Sequence, residues 1–218
     1  MLKFSKHNRK INELAKDLGL SKSEVVAFDL PAGHTCPAAD ICKAKANRET
    51  GKITDGKSCQ FRCYAASTES AFKNTRNLRW HNYTGLINSD NMVELINNSI
   101  TSKIKVIRIH SSGDFFSTAY FKAWVKVAEL NPHITIFGYT KVLPYVTAKK
   151  PDNFKLVYSH GGLFDSKVTN EPVAYVVKNE QDAIGGLPCK DNPAGDFYKI
   201  MQGVSFSLML HGTQPAKK

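Results

Sequence analysis

The chain has 218 residues, 42% hydrophobic and 22% charged, which suits one packed domain and argues against wholesale disorder. Lys and Arg number 30 against 19 Asp and Glu, a formal charge of +11 that attracts polyanions, nucleic acid above all. No apolar run approaches the roughly 18–20 residues of a membrane span, and Met1 to Phe4 lead into a polar stretch rather than a signal-peptide core, so the expectation is a cytoplasmic protein with no membrane partner.

The basic surplus is uneven. Residues 1–80 carry 15 Lys/Arg against 8 Asp/Glu, and the remainder 15 against 11. A short amphipathic helix is predicted over 8–18, with Ile11, Leu14, Ala15 and Leu18 at helical spacing. Ala15, Gly19 and Val25 also match the small, turn and aliphatic positions of a helix-turn-helix, so a DNA binder through residues 11–28 is one alternative. The β-branched run Val25 to Leu30, ending at Pro31-Ala32-Gly33, instead suggests a first strand.

Residues 31–66 follow that strand and hold four of the five cysteines: Cys36, Cys42, Cys59 and Cys63. Two close pairs, C-x5-C and C-x3-C, are joined by a Lys/Gly/Thr-rich spacer. Thiolates are soft ligands, so the pattern predicts an iron–sulfur cluster or Zn2+ site. His34 is close enough to replace one sulfur, and Cys189 reads as an inert thiol. Disulfides are the competing reading, disfavoured by the absence of a secretory signal.

Most of 65–86 is predicted as one helix, with Lys73, Arg76 and Arg79 every third residue beside Trp80 and Tyr83, a grouping able to grip phosphates and stack bases. A second helix over 91–101 opens with the capping pair Asn91 and Glu94. Strands are then predicted at Lys105–His110, Ile134–Tyr139, Lys155–Ser159, Pro172–Val177 and Gly203–Leu210. Helices are expected over 117–130 and from Lys141 to about Ala148, and a loose tail from Thr213. Alternating strands and helices imply a parallel sheet. The chain therefore reads as a single α/β domain over 1–218, either a partial (β/α) barrel or an open parallel sheet, with a cysteine-rich metal-binding insertion after the first strand.

In both architectures ligands bind past the carboxyl ends of the strands. There lie His110, Ser112, Gly113 and Asp114; Lys141; His160; Lys178; and His211. His110 and His160 are the candidates for proton transfer, Asp114 for orienting His110, and Lys141 for holding a substrate anion. Ser112, Gly113, Lys178 and His211 complete the expected rim as ligand-binding positions. Gly113 suggests a sharp turn or a close ligand, and Gly161-Gly162 a turn or room for substrate. No P-loop, HExxH, GxSxG or GxGxxG motif occurs.

The segments LPAGHTCPAADIC, CQFRCYA, IRIHSSGDFFSTAYFKAWVKVAELNP and FGYTK resemble a family of phage-encoded proteins known as gene product 88, of unassigned function. The resemblance runs from about Phe28 to Lys141. Cysteines after the first strand of a partial β/α barrel, closed by Cys63-Tyr64, more remotely resemble the radical-SAM arrangement, which implies a [4Fe–4S] cluster and S-adenosylmethionine. That arrangement has a C-x3-C-x2-C run, and Ala66 stands where its third cysteine falls. The resulting expectation is a metal-binding phage protein that binds or processes nucleic acid at its strand-end rim. The alternative is a non-catalytic binding or host-takeover protein with a purely structural metal.

Overall fold

The computed structural model describes residues 1–6, 8–184 and 195–214; Cys189 and the last four residues lie outside these. Six strands form one parallel sheet: β1 (Val25–Phe28), β4 (Val106–Ile109), β5 (Thr135–Thr140), β6 (Phe154–Ser159), β7 (Val173–Val177) and β8 (Phe206–Met209), side by side in that order. Every pairing is parallel. The sheet curls into an open half-barrel. All six strands lie where the sequence places them. Strands β1 and β4 are largely apolar runs buried on both faces, as parallel strands require.

Register sorts the side chains. Val26, Phe28, Ile107, Ile109, Ile136 and Leu156 face one layer, packed against α3 (Lys73–Ile87), α4 (Met92–Asn97) and α5 (Thr118–Leu130). Trp124 of α5 is fully buried there. The other face, with Val25, Ala27, Val106, Phe137, Val157 and Phe206, is covered by α1 (Arg9–Asp17) and α7 (Gly195–Gln202). Caps fix the helix starts. Asn91 Oδ1 accepts from Glu94 N at 3.1 Å, and Ser117 Oγ accepts from Tyr120 N at 3.2 Å. Asn91 Nδ2 also donates to Glu94 Oε2 at 3.3 Å, so the capping pair is made.

Three expectations need correction. Residues 25–28 are strand, wholly buried, so no second helix completes a helix-turn-helix over 11–28. The helix over 65–86 is two: α2 (Tyr64–Ala71) and α3, separated at extended Phe72. Arg76 sets the break, donating from Nη1 to the Glu69 carbonyl and so satisfying a carbonyl left open at the end of α2. The cysteine-rich segment does follow β1, but it contains a small antiparallel hairpin, β2 (Ala44–Ala46) with β3 (Ile53–Asp55). Among the described residues no three His, Cys, Asp or Glu groups stand together as a metal shell. A short α6 (Leu143–Thr147) follows β5 as expected.

Candidate functional site at the strand-end rim

The cysteine-rich segment roofs the carboxyl edge of the sheet. It leaves β1 and is stitched to the loop after β6: Asp40 N donates to Gly161 O at 3.3 Å and Leu163 N to Ala38 O at 3.0 Å. Its far end reaches the loop after β8, where Arg62 N donates to Gln214 Oε1 at 2.8 Å and the Tyr64 ring lies 4.5 Å from that of His211. Gly161 leaves no room for substrate. Its φ is +95°, and a Cβ there would meet Ile41 Cγ1 of the roof at 2.6 Å. The glycine exists so that the roof can sit down on the rim.

Cys36, Cys42, Cys59 and Cys63 are all free thiols and partly buried. Burial pushes the Cys36 thiol well up, and Asp114, Cys63 and Cys42 push it further. Burial also raises Cys42 and Cys63, with the charges of Cys59 on Cys42 and of Cys42 on Cys63 adding to it. Cys59, less covered, is raised by burial and then by Asp55. Burial dominates in each case, outweighing the charges of Lys141 on Cys42, Arg62 on Cys59 and Arg79 on Cys63, which favour the thiolate. A soft metal reverses that: a coordinating thiol gives up its proton. The donor set thus fits such a metal in kind and neighbourhood, while its present spacing is that of neighbours rather than ligands. His34 does not join it. Its Nε2 lies 3.1 Å from Ala46 O and its ring packs edge-on against Trp80.

The predicted catalytic group separates. His110 turns inward on a left-handed φ of 62°, and its Nε2 lies 2.9 Å from the Tyr120 hydroxyl, beside Phe115. Burial drops its pKa to about 3, so it is a neutral core imidazole near pH 7. Asp114 does not orient it. One oxygen accepts from Phe115 N at 2.7 Å and Thr140 Oγ1 at 2.8 Å, the other from Lys141 N at 2.9 Å. Lys141 in turn donates to Ser159 O, Ser159 Oγ and His160 O, so its ammonium clamps the ends of β5 and β6 together and is not offered to a substrate. Ser112 and Gly113 also knit the sheet. Ser112 N donates to Asp29 Oδ1 at 3.1 Å, and its hydroxyl lies 2.8 Å from Leu30 O. Gly113, at φ +86°, lets that loop meet Leu30 and Thr35 closely; no ligand is needed to explain it.

His160 is different. Its side chain is 45% exposed and Nε2 lies 3.4 Å from Asp165 Oδ2. Burial pushes the Asp165 carboxyl up, but hydrogen bonds from Tyr158 and the Gly162 N–H, and the His160 charge, outweigh it and hold it below the ordinary value. This is an imidazole oriented by a carboxylate at the rim, with Asp165 in the role expected of Asp114. Lys178 is exposed. His211, against Tyr64, has its pKa lowered by burial and then by Lys10 and Arg108.

Sequence reasoning missed the buried charges beneath the roof. Glu69, with no exposure, accepts from Ala32 N at 2.8 Å and Arg79 Nη1 at 2.9 Å. Asp29 lies 4.0 Å from Arg79. Arg108 on β4 is 5% exposed, and Asp196 at the start of α7 is 2% exposed. An arginine inside the apolar strand Val106–Ile109 was the legible signal, since a charge there needs a reason.

The basic stripe on α3 is also redirected. Arg76 and Arg79 are buried on backbone carbonyls and Glu69, leaving Lys73 exposed. Trp80 instead lines a groove of about 450 Å³ with Arg48, Asn77, His81, Thr84, Gly85 and Asn88. The Arg48 guanidinium sits 5.1 Å over the Trp80 ring.

Fold and rim together define a parallel β/α half-barrel whose strand ends are roofed by a thiol-rich segment. A family model described as Gene product 88 matches residues 2–209, and the chain belongs to that family of phage proteins. The Gene 88 protein of Mycobacterium phage L5 is 30% identical over 149 residues, covering 61% of this chain and 56% of that protein. The Gene 88 protein of Mycobacterium phage D29 is likewise 30% identical over 149 residues, covering 61% of this chain and 55% of that protein. The chain spans about half the length of these curated relatives. No solved structure matches. Among the described residues no helix is long and apolar enough to cross a membrane.

Proposed function

We propose that the thiol-rich roof holds a soft metal, an iron–sulfur cluster or Zn2+, and that the protein uses this rim on nucleic acid. The observation that supports the metal is four free cysteines supplied by one segment laid over the strand ends. Cys36, Cys42, Cys59 and Cys63 would hold it, and the reducing host cytoplasm would keep them available. Because Ala66 is buried in α2 and supplies no third sulfur of a C-x3-C-x2-C run, a cluster here draws on all four cysteines, and no S-adenosylmethionine step is proposed. His160, held by Asp165, is the rim group suited to moving a proton.

Nucleic acid is supported by the +11 charge and by the groove where Arg48 lies over Trp80. Two assays test the reading. Each single Cys→Ser variant should lose most of its bound metal while keeping its far-ultraviolet dichroism; full retention in all four contradicts the site. Single-stranded DNA should bind in a salt-dependent way, more weakly when Arg48→Glu or Trp80→Ala is introduced. No DNA binding at low salt contradicts the partner.

A further inference from the structure

Arg108 stands out among the buried charges because its donors are unused. Its side chain is only 6% exposed, yet none of its N–H groups hydrogen-bonds to a described residue. Nε is buried without a partner, and the nearest carboxylate oxygen, Asp196 Oδ2, lies 3.5 Å from Nη2. That oxygen is already taken by the Tyr139 hydroxyl at 2.6 Å and Lys10 Nζ at 3.0 Å. The other oxygen of Asp196 accepts from Phe197 N at 3.0 Å. Asp196 therefore neutralises Arg108 at a distance without using its fork. A buried guanidinium in this state is costly unless something else accepts from it.

The surroundings suit an oxygen anion. Arg108 projects from the penultimate residue of β4, at the rim, on the sheet face that α1 and α7 cover. The Tyr139 ring lies under its guanidinium at 5.5 Å. Tyr64, which donates its hydroxyl to Ser111 O, is close enough to feel the Arg108 charge and carries the His211 ring on its face. Ser111 Oγ, next to that carbonyl, is buried and also lacks a partner. The Arg79 Nε and Glu69 Oε2 atoms nearby under the roof are unpartnered as well, so unsatisfied polar atoms concentrate at the ends of β1 and β4.

We propose that Arg108 is the floor of a small oxyanion site, in which a ligand's carboxylate or phosphate takes two parallel hydrogen bonds from the guanidinium, is walled by Tyr64, Tyr139 and His211, and receives a third from Ser111. Arginine is the residue for this task because its planar fork matches both groups bidentately.

The full chain is titrated with inorganic phosphate and, separately, succinate at fixed ionic strength, following the melting temperature. Saturable stabilisation by one of them is expected, and which one responds assigns the ligand class. In Arg108→Gln the apparent affinity falls at least tenfold. Because that variant removes a buried charge and its folding is not assured, the unmutated protein is also labelled with phenylglyoxal and the peptide carrying Arg108 mapped; the responding anion should protect it. The proposal is overturned by no saturable response to either probe, by an equal response in folded Arg108→Gln, or by labelling of Arg108 that the anion leaves unchanged. Loss of DNA binding in the Arg48 variant leaves the Arg108 titration untouched, so the two readings fail separately.

Discussion

Asp114→Asn gives the sharpest test of the rim's energetics. Asp114 is 3% exposed and burial raises its pKa to about 6, with its three hydrogen bonds offsetting only part of the cost. The ordinary value is 3.8. A carboxyl raised on folding is neutral without penalty below the unfolded value, and its contribution is lost as pH climbs through the folded one. The displacement is about two pH units at 1.36 kcal/mol each, so the native state loses about 3 kcal/mol between pH 4 and 7. Asparagine mimics the neutral form but cannot accept from Lys141 N as the carboxylate does, a fixed cost of about 1–3 kcal/mol. Urea unfolding of both proteins at pH 4, 5, 6 and 7 isolates the titration. The stability of the variant minus that of the parent should rise by about 1 kcal/mol or more per pH unit up to pH 6, then level. A difference curve flat across pH 4–7 would refute the reasoning.

Other predictions follow from the same geometry. His110 runs opposite in sign: its pKa falls to about 3 on folding, so stability present above the unfolded value near 6.5 is lost as pH falls towards 3. A His110→Asn variant, whose side chain tolerates the left-handed backbone, should show a shallower acid limb in urea titrations; an unchanged limb counts against a buried neutral imidazole. Lys141→Met should cost about 2–5 kcal/mol, because three acceptors at the end of β6 lose their donor, read as a lower urea midpoint; a change under about 0.5 kcal/mol would show the clamp to be idle. Gly113→Ala should cost about 2 kcal/mol or more through its positive φ and the 2.7 Å approach of Leu30 Cβ.

Legibility followed locality. The six strands were readable because each is a largely apolar run closed by a turn signal, as in Val25–Phe28 before Pro31. The cap at Asn91 was readable for the same reason, since the interaction spans three residues. What escaped depends on distant partners. Nothing within 65–86 announces a break at Phe72; it is set by Arg76, which also bonds the carbonyl of Arg48, 28 residues away. Arg76 and Arg79 look like a solvated stripe until α2 and the hairpin supply their carbonyls. His110 and His160 are equivalent in sequence, each following a strand. The left-handed turn at His110 sends it into the aromatic core, while Asp165, five residues downstream of His160, keeps that ring at the surface. The hairpin inside the roof was hidden because three-residue strands carry too little pattern to register.

X-ray absorption at the metal edge of anaerobically purified protein bears most directly on the thiol-rich roof. The account predicts a stoichiometric metal with a sulfur-only first shell at about 2.3 Å, and loss of that shell in a Cys36→Ser, Cys63→Ser double variant. Protein without bound metal after growth and purification in metal-replete conditions, or a shell of oxygen and nitrogen, would contradict it.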